Sequence, residues 1–124
     1  MSFPHIQIKT TNYELTEATR EILEKRLATL ERLLPKDEAT TICEVELSKI
    51  TEHHHAGKIY RVEVNLSFGG KLIRAEATEE TIESAIDQVK GQLKTELRKM
   101  NDKGESLFRR GARRAKEMLR FGRY

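Results

Sequence analysis

Only one cysteine, Cys43, occurs in the 124 residues, so no disulfide can form within the chain. No stretch approaches the roughly eighteen consecutive apolar residues of a membrane-spanning helix. The opening "MSFPHIQIKT" lacks the apolar run of a secretory signal, so a cytoplasmic location is expected. A glycine-rich phosphate loop is also missing, because "FGGK" (Phe68 to Lys71) continues a hairpin and does not open a helix. There is no internal repeat and no low-complexity segment. Cys43 falls on the apolar side of its segment and reads as a small buried hydrophobe. Nucleophilic chemistry would need a partner base, and the pattern marks none. The carboxylates are numerous but belong to solvent-facing positions. An enzyme is not expected, and neither is a cofactor.

What is present in quantity is charge, at 35% of residues against 37% hydrophobic ones, on a chain long enough for one core. The net charge of +3 is unevenly placed. From Glu105 onward stand Arg109, Arg110, Arg113, Arg114, Lys116, Arg120 and Arg123 against Glu105 and Glu117, a net +5, which leaves residues 1–104 at −2. A near-neutral body, 1–104, thus carries a basic tail, 105–124, the pattern of an arm that docks on a polyanion. Phe108, Phe121 and Tyr124 sit among the arginines and are candidates to stack on unpaired bases.

Hydrophobic periodicity predicts the order βαβββα. "HIQIKT" alternates as a short strand. Thr16 is placed to cap a helix in which Leu23, Leu27, Leu30 and Leu34 recur at helical spacing, and Pro35 ends it after about five turns. "TICEVELSKI" puts Cys43, Val45 and Leu47 on one face. "KIYRVEVNLSF" puts Tyr60, Val62, Val64 and Leu66 inward and Arg61, Glu63, Asn65 and Ser67 toward solvent. Gly69–Gly70 signals a tight hairpin, and "KLIRAEA" returns with Ile73, Ala75 and Ala77 inside. Thr78 is expected to cap a second helix with the apolar stripe Ile82, Ile86, Val89, Leu93, Leu97 and Met100, and Gly104 to stop it. The expected fold is α+β, a four-stranded sheet with two helices packed on one face.

Beside that stripe run Lys90, Lys94 and Arg98, four residues apart, which forms one basic ridge. The first helix adds Arg20, Lys25, Arg26 and Arg32. Cations spaced about 6 Å along a helix edge can follow a phosphate backbone, so structured RNA is the expected partner. Two other classes stay open, a free-standing module for other structured RNA and a tail that acts as an adaptor on a protein or membrane surface. Phe108, Ala112, Ala115 and Leu119 share one face of a potential basic amphipathic helix, although Gly111 weakens it. The run "EHHH", Glu52 to His55, falls between two strands. Only His53 and His55 could face one metal, so a solvated loop is expected there and no metal site.

"ELTEATREILEKRLATLERL" (residues 14–33) and "GGKLIRAEATEETIESAIDQVKGQLKTELRKMNDK" (residues 69–103) together resemble the ribosome hibernation promoting factors. That family is also called the ribosome-associated translation inhibitors, or sigma-54 modulation proteins. The likeness spans about residues 5–103. It implies a fold similar to double-stranded-RNA-binding domains and a non-enzymatic role. It also implies binding to the small ribosomal subunit and its rRNA in the channel of the mRNA and tRNAs, which the protein excludes. Arg20, Arg26, Lys99 and Lys103 are the RNA contacts it implies. Where the family usually has basic residues this chain has Thr29, Gln92, Thr95 and Asn101, and Glu96 replaces a common glutamine. Lys90, Lys94 and Arg98 are placed to compensate from a neighbouring row. The residues after Gly104 are too few for the extra domain of the long family members. The chain therefore resembles the short forms, is expected to be a monomer when free, and is expected to lay Leu107–Tyr124, disordered until bound, along the mRNA path.

Overall fold

The computed structural model describes residues 6–34, 41–50, 57 and 59–120, with only the backbone described from 103 to 120. The elements follow as β1 (Ile6–Thr11), α1 (Glu17–Ala28), β2 (Ile42–Lys49), β3 (Tyr60–Phe68), β4 (Lys71–Glu79) and α2 (Ile82–Arg120). The sheet order is β1-β2-β3-β4, with β1 parallel to β2 and the remaining pairs antiparallel. The expected βαβββα order and one-sided helical layer are thus present.

One face of the sheet and both helices enclose the core. Val45, Leu47, Val62, Val64 and Leu66 come from the strands, and Leu23, Leu27, Ile86, Val89, Leu93 and Leu97 from the helices, all nearly sealed from solvent. Each buried leucine contributes about 1.5–3 kcal/mol of transfer free energy. Cys43 is fully buried among them, as its alternation predicts, and burial pushes its thiol from 9.0 up to about 12. The β3–β4 hairpin turns through Gly69 and Gly70 at φ +53° and +76°, the doubly positive geometry that favours glycine.

Four sequence expectations need correction. First, α1 has 12 residues, not five turns. The Thr16 hydroxyl does cap it, accepting from the Thr19 amide at 3.1 Å. After Ala28 the chain tightens into 3-10 geometry over Glu31–Leu33, with the Leu33 amide bonded to the Leu30 carbonyl. Leu30 and Leu34 stay buried through this change, so the apolar spacing outlasts the helix. Pro35 lies outside the described residues. Second, Thr78 does not cap α2. It pairs with Arg61 inside β4, and Thr81 Oγ1 instead accepts from the Ser84 amide at 3.0 Å. Third, Glu63 is 9% exposed and not turned to solvent, because Arg61 and Arg74 close over it.

Fourth, Gly104 does not stop α2, which runs through Gly104 and Gly111 to Arg120. Glycine costs a helix about 1 kcal/mol relative to alanine but keeps its amide in the hydrogen-bond ladder. The flanking Arg, Lys, Leu, Ala and Met residues are good helix formers. The boundary between body and tail therefore falls inside one helix.

Candidate nucleic-acid interface

Two helices form the charged layer. Acidic groups cluster at the N-terminal ends, with Glu17 in the first turn of α1 and Glu83 in that of α2. Cations follow in the later turns, Lys25 and Arg26 on α1 and Lys90, Lys94, Arg98 and Lys99 on α2. On α1 both placements complement the helix macrodipole, and its basic last turn meets the acidic start of α2 through Arg26.

The predicted contact residues divide by what they already touch. Arg26 is committed inside the protein. Its Nε donates to Asp87 Oδ1 at 2.7 Å and its Nη2 to Glu83 Oε1 at 3.3 Å, which clamps α1 to α2. The hydrogen bond to Asp87 and its charge hold the guanidinium above its ordinary pKa. Arg20 pairs with Glu17 at 3.8 Å and Lys99 with Glu96 at 3.5 Å, both on the surface. Lys25, Lys90, Lys94 and Arg98 have no carboxylate within 4.0 Å among the described residues. Three of the residues that the family resemblance implied are therefore paired at home, while the alternative ridge is left available. The side chain of Lys103 and those of Phe108, Arg109, Arg110, Arg113, Arg114, Lys116 and Arg120 lie outside the described residues, although α2 carries their backbone. Phe121, Arg123 and Tyr124 lie outside altogether, as do His53 and His55.

The ridge has a definite place. Asp87 faces α1 through Arg26, and Asn101 Nδ2 donates to the Leu33 carbonyl at 3.1 Å just beyond α1. Lys90, Lys94 and Arg98 fall between these anchors in the same helical phase, so they lie on the side of α2 nearest α1. Lys90 and Lys94 are half-buried and Arg98 is exposed.

Thr29, Gln92, Thr95 and Asn101, four of the five positions that depart from the expected family pattern, each bond a backbone group. Gln92 is the clearest case. Its Oε1 accepts from the Glu76 amide at 3.2 Å and its Nε2 donates to the Glu76 carbonyl at 2.9 Å, which occupies the outer edge of β4. Thr29 Oγ1 donates to the Arg26 carbonyl at 2.7 Å, and Thr95 Oγ1 to the Gly91 carbonyl at 3.0 Å. Asn101 supplies the tether to Leu33.

The opposite face of the sheet, which no described element covers, is different in chemistry. Glu46, Glu63 and Glu76 stand directly opposite one another across β2, β3 and β4. Like charges in that register repel. Arg74 Nε donates to Glu63 at 2.7 Å, Arg61 pairs with both Glu63 and Glu76, and the Thr11 hydroxyl donates to Glu46 at 2.8 Å. Sequence reasoning missed this network and the Arg26 clamp alike. The signal for the clamp was present, an Asp87 one turn after Glu83 beside the apolar stripe.

The fold defines a class: a small α+β domain with both helices packed on one face of a mixed four-stranded sheet. The chain belongs to the family described as sigma 54 modulation protein / S30EA ribosomal protein, whose model matches residues 6–105. Among solved structures it is similar to the N-terminal domain of Thermus thermophilus Protein Y. The identity is 31% over 77% of this chain and 96% of that one, with a TM-score of 0.61. It shares its fold with a ribosomal subunit interface protein from Coxiella burnetii, at 22% identity over 79% of this chain and 98% of that one, TM-score 0.61. A search of curated proteins finds no match.

Proposed function

We propose that this protein is a ribosome hibernation factor, which binds the small ribosomal subunit where mRNA and tRNA would lie and inhibits translation by occupying that space. The observation that carries the reading is the ridge Lys90–Lys94–Arg98, free of internal ion pairs among the described residues, in a member of this family. Successive ridge cations advance about 6 Å along the axis, close to the phosphate repeat of an RNA strand. Contact through phosphates and 2′-hydroxyls reads the shape of folded rRNA, and steric exclusion requires no catalytic group. The protein acts as a monomer, alone on one face of its partner, in the compartment that holds ribosomes. Among the described residues no helix is long and apolar enough to cross a membrane.

Co-sedimentation with purified small subunits, in the presence of mRNA and initiator tRNA, tests this directly. Binding that the two ligands displace is the expected result. Binding that they leave unchanged would remove the decoding channel from the account. Equal affinity for naked duplex RNA would favour a free-standing RNA-binding module.

A further inference from the structure

α2 does not end where the body ends. Its last described anchor is Asn101 on the Leu33 carbonyl, yet the helix continues to Arg120, about 29 Å further along its axis. The sequence keeps one helical phase across this whole length. Within the body the inward arc holds Ile86, Val89, Leu93, Leu97 and Met100. At about 100° per residue the same arc then receives Gly104, Leu107, Gly111, Ala115 and Met118, with no charged residue among them. A segment without regular structure has no reason to preserve that phase. The cations keep phase too. Arg109, Arg113, Lys116 and Arg120 recur at i, i+4, i+7 and i+11, within about 60° of arc, and Arg98 of the ridge falls in that same arc. Asp102 and Glu105 fall in the gap of about three turns between Arg98 and Arg109.

We infer that residues 102–120 are a helical arm already formed in the free protein, whose cationic line continues from the Arg98 end of the Lys90–Lys94–Arg98 ridge so that both bind one run of RNA phosphates as a single rigid surface. This rests on the RNA-binding reading above. It differs from the expectation of a tail that orders only on contact. A preformed arm loses little conformational entropy on binding, and its geometry selects the direction in which the RNA runs. A flexible basic tail would supply charge without direction.

Among the described residues the buried core lies between Leu23 and Leu97, so a chain ending at Gly104 keeps it. Far-UV circular dichroism without RNA should show more helix in the intact chain than in that truncation, by about the length of the arm. For binding to small subunits, two alanines inserted after Gly104 rotate the arm by about 200° while preserving its charge, and four rotate it by only about 40°. The two-residue insertion should lower affinity roughly tenfold at physiological salt, toward the truncation, and the four-residue insertion should restore most of it. An absence of extra helix in the free chain, or intact-like binding by the two-residue insertion, would overturn the arm. Failure of the intact chain itself to bind would overturn the RNA reading and with it the arm's role. The two failures are distinguishable because helicity is measured without RNA.

Discussion

Cys43 and Arg26 mark the two extremes of what a single side chain does here. Cys43 is sealed on the core side of β2, and desolvation raises its pKa from 9.0 to about 12. Below about pH 9 the thiol is neutral in both the folded and unfolded chain. Between about 9 and 12 only the unfolded chain ionises, so it binds fewer protons than the folded chain, and stability falls as pH rises through that window. Denaturant midpoints measured near neutral pH and again well above pH 9 should therefore drop further for the wild type than for Cys43→Ala. Equal drops would show that the thiol is not shielded. The burial of Cys43 was legible because alternation alone places it. The pairing of Arg26 was not, because it depends on how α1 and α2 lie against each other, and no spacing within one helix carries that. Charge type identified Arg26 as a cation but could not tell that Glu83 and Asp87 already hold it.

At the scale of elements, the strands were readable and the helix ends were not. Period-two alternation and the Gly69–Gly70 turn specify β2, β3 and β4 almost unaided. α1 looked longer than it is because Leu30, Leu33 and Leu34 remain apolar in the 3-10 turn, where they face the same core. α2 was assigned too early a start because Thr78 and Glu79 suit either a cap or the last rungs of a ladder, and pairing with β3 decides for the ladder. Glu63 needed the register of three strands before its burial made sense. The β4 edge carries a prediction of its own. Gln92 occupies the Glu76 main-chain groups that would otherwise stand open. Gln92→Ala should cost about 1 kcal/mol in chemical denaturation and increase self-association through the exposed edge, seen by sedimentation velocity. A variant unchanged in both would show that the edge is guarded by something else.

Viewed whole, the molecule is two-sided. On its helical side Lys90, Lys94 and Arg98, without ion pairs among the described residues, follow the Arg26 clamp along α2, and the other face of the sheet sets Glu44, Glu46, Glu63 and Glu76 among Lys9, Arg61 and Arg74. The most direct test of this account is the salt dependence of binding to small subunits by the triple variant Lys90→Gln, Lys94→Gln, Arg98→Gln, compared with the intact chain. None of the three makes an ion pair among the described residues, so folding and thermal midpoint should hold. The account predicts weaker binding and a log–log salt slope shallower by about two. An unchanged affinity and slope would contradict it, and would move the proposed RNA contact away from this side of α2.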